Sequence, residues 1–438
     1  MNSGTLKFLG AATVLVAVGA VLASKSRTSS TAASTADTPV LPVLQERVND
    51  VKSVVIESQD GTVTLARNAG GWGLMEKNGF EADSGKVREL ILAMRDARIL
   101  EEKTANQARF KKLGLEAPDA EGSSSKRVTL KDEAGGTITA LLVGNQRMAR
   151  PSANQAPNPN VTASQQFYMH TGGDDPAVLA TGELTINASP VSWLDQQFLD
   201  IGRDRIQAAR VTGSDGIVVE AARASMDDTE LEPLGAPDGM QPKELNGTRP
   251  FLDALSRLRF DDVQEASAIA WDEQEVTVAE FFTEHGLRAK VETVEIPNDD
   301  ATLDEEGKPL PGQSKVWARF SFDLDGLANT PMSLTPPAEP EPATEGGAEG
   351  EEAEAPAAPE PDPGPSPAEQ AKELSELQTK TSGWAYALPS WKSSAFRMKP
   401  DAVFEPIPEP ELPAELQPAD DLPGTILDNV PPPATDDK

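Results

Sequence analysis

SVVIESQDGTVTL, residues 53–65, decides the fold. Apolar and β-branched residues alternate with polar ones on both sides of Asp60-Gly61, the pattern of two half-buried strands joined by a tight turn. Asp-Gly suits a type I′ turn, whose central residues both need positive φ, a conformation that Gly adopts freely and Asp tolerates. The same spelling returns as AARVTGSDGIVVE, residues 208–220. Val51 aligns with Ile206, Asp60 with Asp215, Gly61 with Gly216 and Val63 with Val218, each pair 155 positions apart.

A helix is predicted after each hairpin. In the first half Val87, Leu90, Ile91, Met94 and Ala97 follow helical spacing behind Asp83 or Ser84 as N-cap. In the second, Phe251, Leu252, Leu255 and Leu258 follow Asn246 or Thr248, and Leu90 aligns with Phe251 at an offset of 161. The strand after each helix is expected in register, Arg98-Ile99 against Arg259-Phe260. Each half then returns to strands. KRVTLKDEAGGTITALLVGN (126–145) turns at Gly135-Gly136, and EVTVAEFFTEHGLRAKVETVEI (275–296) turns near His285-Gly286. Residues 166–169 with 177–180, and 315–324 with 383–388, complete the two sets.

A unit of roughly 150 residues exceeds the 20–50 of a solenoid repeat. The expected fold is α+β: two related antiparallel-sheet-plus-helix domains from an internal duplication, each sheet covered on one face by a helix. Their boundaries are placed at 49–203 and 204–400.

Ahead of them, residues 8–23, FLGAATVLVAVGAVLA, form an uninterrupted apolar run flanked by Lys7, Lys25 and Arg27. As a helix this spans about 24 Å, against a hydrocarbon core of about 30 Å. Leu6, Thr5 and Ser24 extend it toward that length. Residues 1–24 are therefore expected to be a transmembrane signal-anchor, N-terminus in and C-terminus out. The alternative is a cleaved secretory signal ending at Val21-Leu22-Ala23. Small polar residues follow, and 25–48 are assigned as a flexible linker. The stretch 334–370 is rich in Pro and Glu, holds no basic residue, and interrupts the second domain as an acidic insertion at about 330–370. Overlapping its end, 368–379 has the composition of a short exposed helix. The tail, 401–438, is again rich in Pro and acid.

With 39 basic and 71 acidic residues the chain carries a net charge of −32, which repels nucleic-acid phosphates and anionic surfaces. A nucleic-acid partner is excluded on that ground. Absence of cysteine removes disulfides, thiolate metal sites and cysteine nucleophiles.

No catalytic, cofactor-binding or metal-binding residues are assigned. His170 and His285, the only histidines, both sit beside turn glycines and are expected to be exposed loop residues. Arg203-Asp204-Arg205 is expected to be an ion-paired bend entering a strand. EGSSSK (121–126) lacks a nucleophile elbow, and no P-loop follows any Gly pair. The acidic pairs Asp227-Asp228, Asp261-Asp262 and Asp299-Asp300 lack calcium-loop spacing. Trp72, Trp193, Trp271, Trp317, Trp384 and Trp391 are expected to be core anchors between sheet and helix; the sharper alternative is an exposed aromatic site for a peptide or glycan.

Several motifs in one order resemble the bacterial domain of unknown function 4340. They are Gly71-Trp72-Gly73-Leu74, Leu113-Gly114-Leu115 with Pro118, LLVGN at 141–145, the strand around Tyr168, and SWLDQQFLDIGRDRIQAARV at 192–211. The resemblance spans about residues 50–290. It implies a single-pass protein of the bacterial inner membrane with an α+β region in the periplasm, in some members alongside ABC-type transport components similar to those of gliding motility. It supplies no catalytic residues. The expected function is a non-enzymatic binding or scaffold subunit of a cell-envelope or ABC-type transport assembly, with protein partners there and sheet edges available to a partner strand. The alternatives are a soluble periplasmic ligand-binding protein and an envelope hydrolase acting through carboxylates.

Overall fold

The computed structural model describes residues 38–148, 165–225, 228–243, 247–298, 300–304, 309–310, 312–326 and 364–408. The apolar run at 8–23, most of the acidic insertion, the tail beyond 408, Asp227 and Asp299 lie outside them. Among the described residues no helix is long and apolar enough to cross a membrane.

The fold is α+β with antiparallel sheets. The first half contains α1 (Pro42–Arg47), β1 (Ser53–Ser58), β2 (Gly61–Asn68), β3 (Gly71–Leu74), β4 (Phe80–Ala82) and α2 (Ser84–Asp96). It continues with β5 (Arg98–Thr104), β6 (Lys126–Lys131), β7 (Thr137–Met148), β8 (Gln165–His170) and β9 (Ala177–Thr181). These strands make one sheet in the order β4-β3-β2-β1-β6-β7-β8-β9-β5.

A connecting strand, β10 (Gln197–Leu199), leads to β11 (Ile206–Thr212), β12 (Val218–Ala222), β13 (Glu232–Leu234), β14 (Met240–Pro242) and α3 (Arg249–Asp253). Then come β15 (Leu258–Arg259), β16 (Asp262–Glu265), β17 (Thr277–Thr283), β18 (Arg288–Pro297) and β19 (Ser314–Asp323). The described residues end with α4 (Pro367–Thr381), β20 (Trp384–Leu388), α5 (Ser390–Phe396), α6 (Pro400–Val403) and β21 (Phe404–Pro406). The second sheet runs β13-β12-β11-β17-β18-β19-β20-β16. Taken strand for strand along the chain, that is the order β3-β2-β1-β6-β7-β8-β9-β5 of the first sheet, which adds only β4 at one edge.

Alternation sets each core face. Val54, Ile56, Val63, Leu65, Val128 and Leu130 point inward in the first sheet, under the stripe Val87, Leu90, Ile91 and Met94 of α2. Asp83 caps α2 by accepting from Gly85 N at 2.8 Å and Lys86 N at 3.2 Å. The equivalent face of the second sheet, Ala209, Val211, Phe281, Val291 and Phe320, belongs to the same continuous apolar cluster. The outer face of the second sheet is laced with ion pairs: Arg288 bridges Asp323 at 2.7 Å and Glu280 at 3.5 Å, and Arg210 pairs with Glu220 and Glu280.

The structure corrects several expectations. Neither hairpin has a type I′ Asp-Gly turn. Ser58 lies opposite Gly61, so the first loop is Gln59-Asp60, and neither of those residues has positive φ. The second loop is longer, with Thr212 opposite Val218; Gly216 takes φ 80° and the Asp215 carboxylate accepts from Ile217 N at 3.0 Å. Helix α3 stops after five residues. Arg257 adopts φ 44° and its N–H donates to Asp200 at 2.9 Å, so Leu258 leaves the helix and joins β15, paired with β10. The strand of the second half therefore enters its sheet at Asp262, not in register at Arg259.

The linker ends earlier than 48. Val40 N–H donates to Ala97 O at 3.0 Å, Ile99 N–H donates to Thr38 O at 2.9 Å, and Leu44 is buried. The tail begins later than 401, because Val403 and Phe404 are buried and β21 pairs with β14. The expected exposed helix is α4, opened by a Ser366/Glu369 capping box, but it is docked. Leu374 and Leu377 pack on the core, and Gln378 Nε2 donates to Phe322 O at 3.0 Å. Together α4 and α5 cover the inner face that the short α3 leaves open.

Candidate functional site

The two sheets meet through a ring cluster. The turn Asn78-Gly79, both in positive φ, delivers Phe80 to β4. Its ring lies edge-on to Trp384 at 4.8 Å and to Phe260 at 5.8 Å. Phe198, on the connecting strand, stacks on Tyr386 at 4.1 Å. Tyr386 O–H donates to Lys380 O at 2.6 Å, and burial pushes its phenol well above the ordinary value. The connecting segment is pinned to the first half: Asp83 N–H donates to Trp193 O at 2.8 Å, and Lys86 Nζ donates to Ser192 O and Leu194 O at 3.0 and 2.9 Å.

Beside this cluster opens a cleft of about 550 Å³ between β4 with the start of α2 and β20 with the end of α4. Half-buried Phe80 and Trp384 form its apolar wall, and exposed Glu81, Asp195, Gln197 and Lys380 line its mouth. Among the described residues the Glu81 carboxylate, the Lys380 ammonium, the Gln197 carboxamide and the Trp384 indole N–H have no hydrogen-bond or ion-pair partner. The cleft thus offers acceptors, donors and an apolar platform together, within the 300–1,000 Å³ usual for small-molecule sites.

Two other concavities are less suited to a ligand. One of about 780 Å³ lies near the 213–217 turn, but its Arg397 is already bound to Glu295. Another, about 600 Å³, is walled by the solvated side of α2, with Arg88, Glu89 and Asp96, and has no aromatic residue.

The sequence-singled residues are placed as follows. Arg203-Asp204-Arg205 is a tight turn entering β11, and Arg205 makes a two-pronged pair with Glu373 of α4 at 2.6 and 3.1 Å, the ion-paired bend that was expected. His285 is in a turn, 3.2 Å from Glu284. His170 is not an exposed loop residue: it ends β8, is buried edge-on to Phe110 at 4.8 Å, and its Nδ1 has no partner. Burial pushes its imidazole pKa down, only partly offset by Asp175. The serines at 123–125 are structural: Ser125 Oγ donates to Glu116 O at 2.7 Å. Asp262 is held between Lys77 and Lys315.

Trp72, Trp193, Trp271 and Trp317 are buried anchors, Trp384 lines the cleft, and Trp391 is 69% exposed. Sequence reasoning missed Phe80, Glu81, Gln197 and Lys380; the alternative reading of the tryptophans as an exposed aromatic site, which included Trp384, came nearest to them. Sheet edges are poorly suited to an incoming strand. The outer strands of the second sheet are Glu232–Leu234, with Pro233, and the four-residue β16, while β4 and the start of β5 are covered by 193–194 and 38–40.

Residues 72–275 match the model of the family described as Domain of unknown function (DUF4340), the family that the sequence motifs resemble. Two of those motifs interlock: a methyl group on Gly144 of LLVGN would lie 2.4 Å from Leu113 O. No curated protein and no solved structure matches the chain.

Proposed function

We propose that the protein is a non-enzymatic binding or scaffold subunit of a cell-envelope assembly. It is anchored in the inner membrane by residues 8–23 and displays in the periplasm two modules descended from one by duplication. The observation that carries the binding role is the junction cleft, whose free polar groups and half-buried rings come from both halves of the chain. The shared strand order of the two sheets supports the duplication.

A binding role is favoured over carboxylate hydrolysis because Glu81 and Asp195 are both exposed. A carboxyl that serves as proton donor near neutral pH is ordinarily buried to raise its pKa. The net charge of −32 argues for protein or neutral partners and against nucleic acid.

Carbonate extraction of membranes, followed by N-terminal sequencing, tests the anchor. Retention in the pellet with residues 8–23 present supports it; a soluble protein starting at Ser24 supports the cleaved periplasmic alternative instead. Affinity capture from solubilised membranes tests the assembly, with ABC-type transport subunits as the expected co-purifying proteins.

A further inference from the structure

We propose that the junction cleft is a saccharide site. Trp384, with the Phe80 ring standing edge-on beside it, forms its apolar wall, and Glu81, Asp195, Gln197 and Lys380 hydrogen-bond the hydroxyls of one or two sugar rings. This rests on the binding role above and names the ligand class.

A pyranose has an apolar C–H face and a rim of hydroxyls, each both donor and acceptor. The cleft has half-buried rings against which the C–H face can lie. Around them are two acceptor-only carboxylates, a donor-only ammonium, a donor-only indole N–H and a carboxamide that does both. Other classes fit less well. Two carboxylates beside one ammonium disfavour phosphates and nucleotides. A purely apolar ligand would strip water from exposed ionic side chains without replacing their hydrogen bonds. A basic peptide would meet the Lys380 ammonium at the mouth of the same cleft. The volume, about 550 Å³, suits one or two rings and not an extended chain.

The site is also built to be held still. Asp83, at the foot of the cleft, caps α2 and receives no free role, while Tyr386 O–H fixes Lys380 O at 2.6 Å. Lys77 and Lys315 clamp Asp262 at 2.5 and 3.1 Å on the neighbouring strand, so the walls belong to one packed body. A pre-formed wall reduces the ordering cost of binding.

The test is isothermal titration of the full chain in detergent with N,N′-diacetylchitobiose and with maltose, alongside tetralysine peptide. Variants are Glu81→Gln, Gln197→Ala and Trp384→Phe, with Glu376→Ala, on the exposed side of α4, as control. The expected result is saturable binding of at least one disaccharide, weakened about three- to tenfold by each cleft variant and unchanged by the control. Circular dichroism melts confirm that each variant is folded.

Three results overturn the proposal: no disaccharide binding by folded protein, disaccharide binding insensitive to all three cleft variants, or tetralysine binding that Glu81→Gln removes in place of disaccharide binding. Mass spectrometry of the recovered disaccharide separates this inference from the reading beneath it. Intact sugar supports both. Cleaved sugar overturns the non-enzymatic role while leaving the site assigned.

Discussion

Lys77 Nζ lies 2.5 Å from the carboxylate of Asp262, and that single contact ties a turn of the first sheet to the outer strand of the second. Lys315 Nζ holds the other carboxylate oxygen at 3.1 Å. Burial alone would push the Asp262 carboxyl up; hydrogen bonding and charge from Lys77, with Lys315 adding to them, outweigh it and hold the group below its ordinary 3.8. A depressed folded pKa means that the pairing stabilises the protein above the unfolded value and that this contribution is lost as pH falls through the folded one. Asp262→Asn should therefore lower the unfolding free energy at pH 7 by about 1–3 kcal/mol. In denaturant titrations the gap between wild type and variant should close as pH falls below 3.8.

His170 gives a second, distinct pH dependence. Its folded pKa is depressed from 6.5 by burial, so the unfolded chain binds the proton more readily. Stability is full above 6.5 and declines as pH falls toward the lowered folded value. His170→Phe removes a buried imidazole whose Nδ1 lacks a partner and places a ring of similar size beside Phe110. Thermal melts between pH 7.5 and 5 should show a fall for wild type that is much reduced in the variant. Equal falls in both proteins would contradict the assignment.

Gly144 and Leu113 cross at backbone distance. A Cβ at Gly144 would sit 2.4 Å from Leu113 O and 2.7 Å from Gly114 O, and neither is a flexible side-chain end. Gly144→Ala must push the 107–115 turn away from β7. The expected cost is about 1–3 kcal/mol or more, read from the chemical-denaturation midpoint. Gly135→Ala, where a Cβ meets nothing within 4 Å but φ is 79°, should act through backbone strain alone and leave the 107–115 turn in place.

Helix α4 is held to the body by named polar contacts, above all the pair between Arg205 and Glu373. Arg205→Ala should cost about 1 kcal/mol or less in global stability, because both side chains are partly solvated. Its local effect should be larger. Hydrogen exchange across Pro367–Thr381 should accelerate while exchange in β17 and β18 stays unchanged.

How much of this was legible in the sequence follows from the physics of each element. The longer strands and α2 were legible because alternation, helical spacing and an N-cap aspartate are local signals; the short strands β3, β4, β10, β13, β14, β16 and β21 were not, having too few residues to show a period. The turn residues were misplaced by one position because Gly61 opens β2 and Gln59-Asp60 makes the loop, a choice set by pairing across the sheet. Helix α3 was over-extended because apolar spacing continues to Leu258, whereas the helix stops at Asp253 and, past the positive φ of Arg257, Leu258 pairs with the connecting strand. His170 read as exposed because its cover, Phe110, comes from a segment 60 positions earlier. Val40, Leu41 and Leu44 are a buried apolar cluster just before and within α1 that the polar stretch ahead of them obscured. The cleft was not legible as a site. Its residues come from separate segments near 80, 195 and 380, and nothing short of the folded junction brings them together.

The central claim is that two modules of like strand order are locked into one body by their ring cluster, which is what makes a cleft between them. Phe198 stacks on Tyr386 and is 7% exposed, so Phe198→Ala should cost about 3–5 kcal/mol. The deciding measurement is urea unfolding followed by hydrogen exchange in both sheets, for wild type and this variant. A single transition, with protection in β1–β6 and in β17–β18 falling together in Phe198→Ala, is the expected result. Two separate transitions, with only one sheet responding to the substitution, would contradict it.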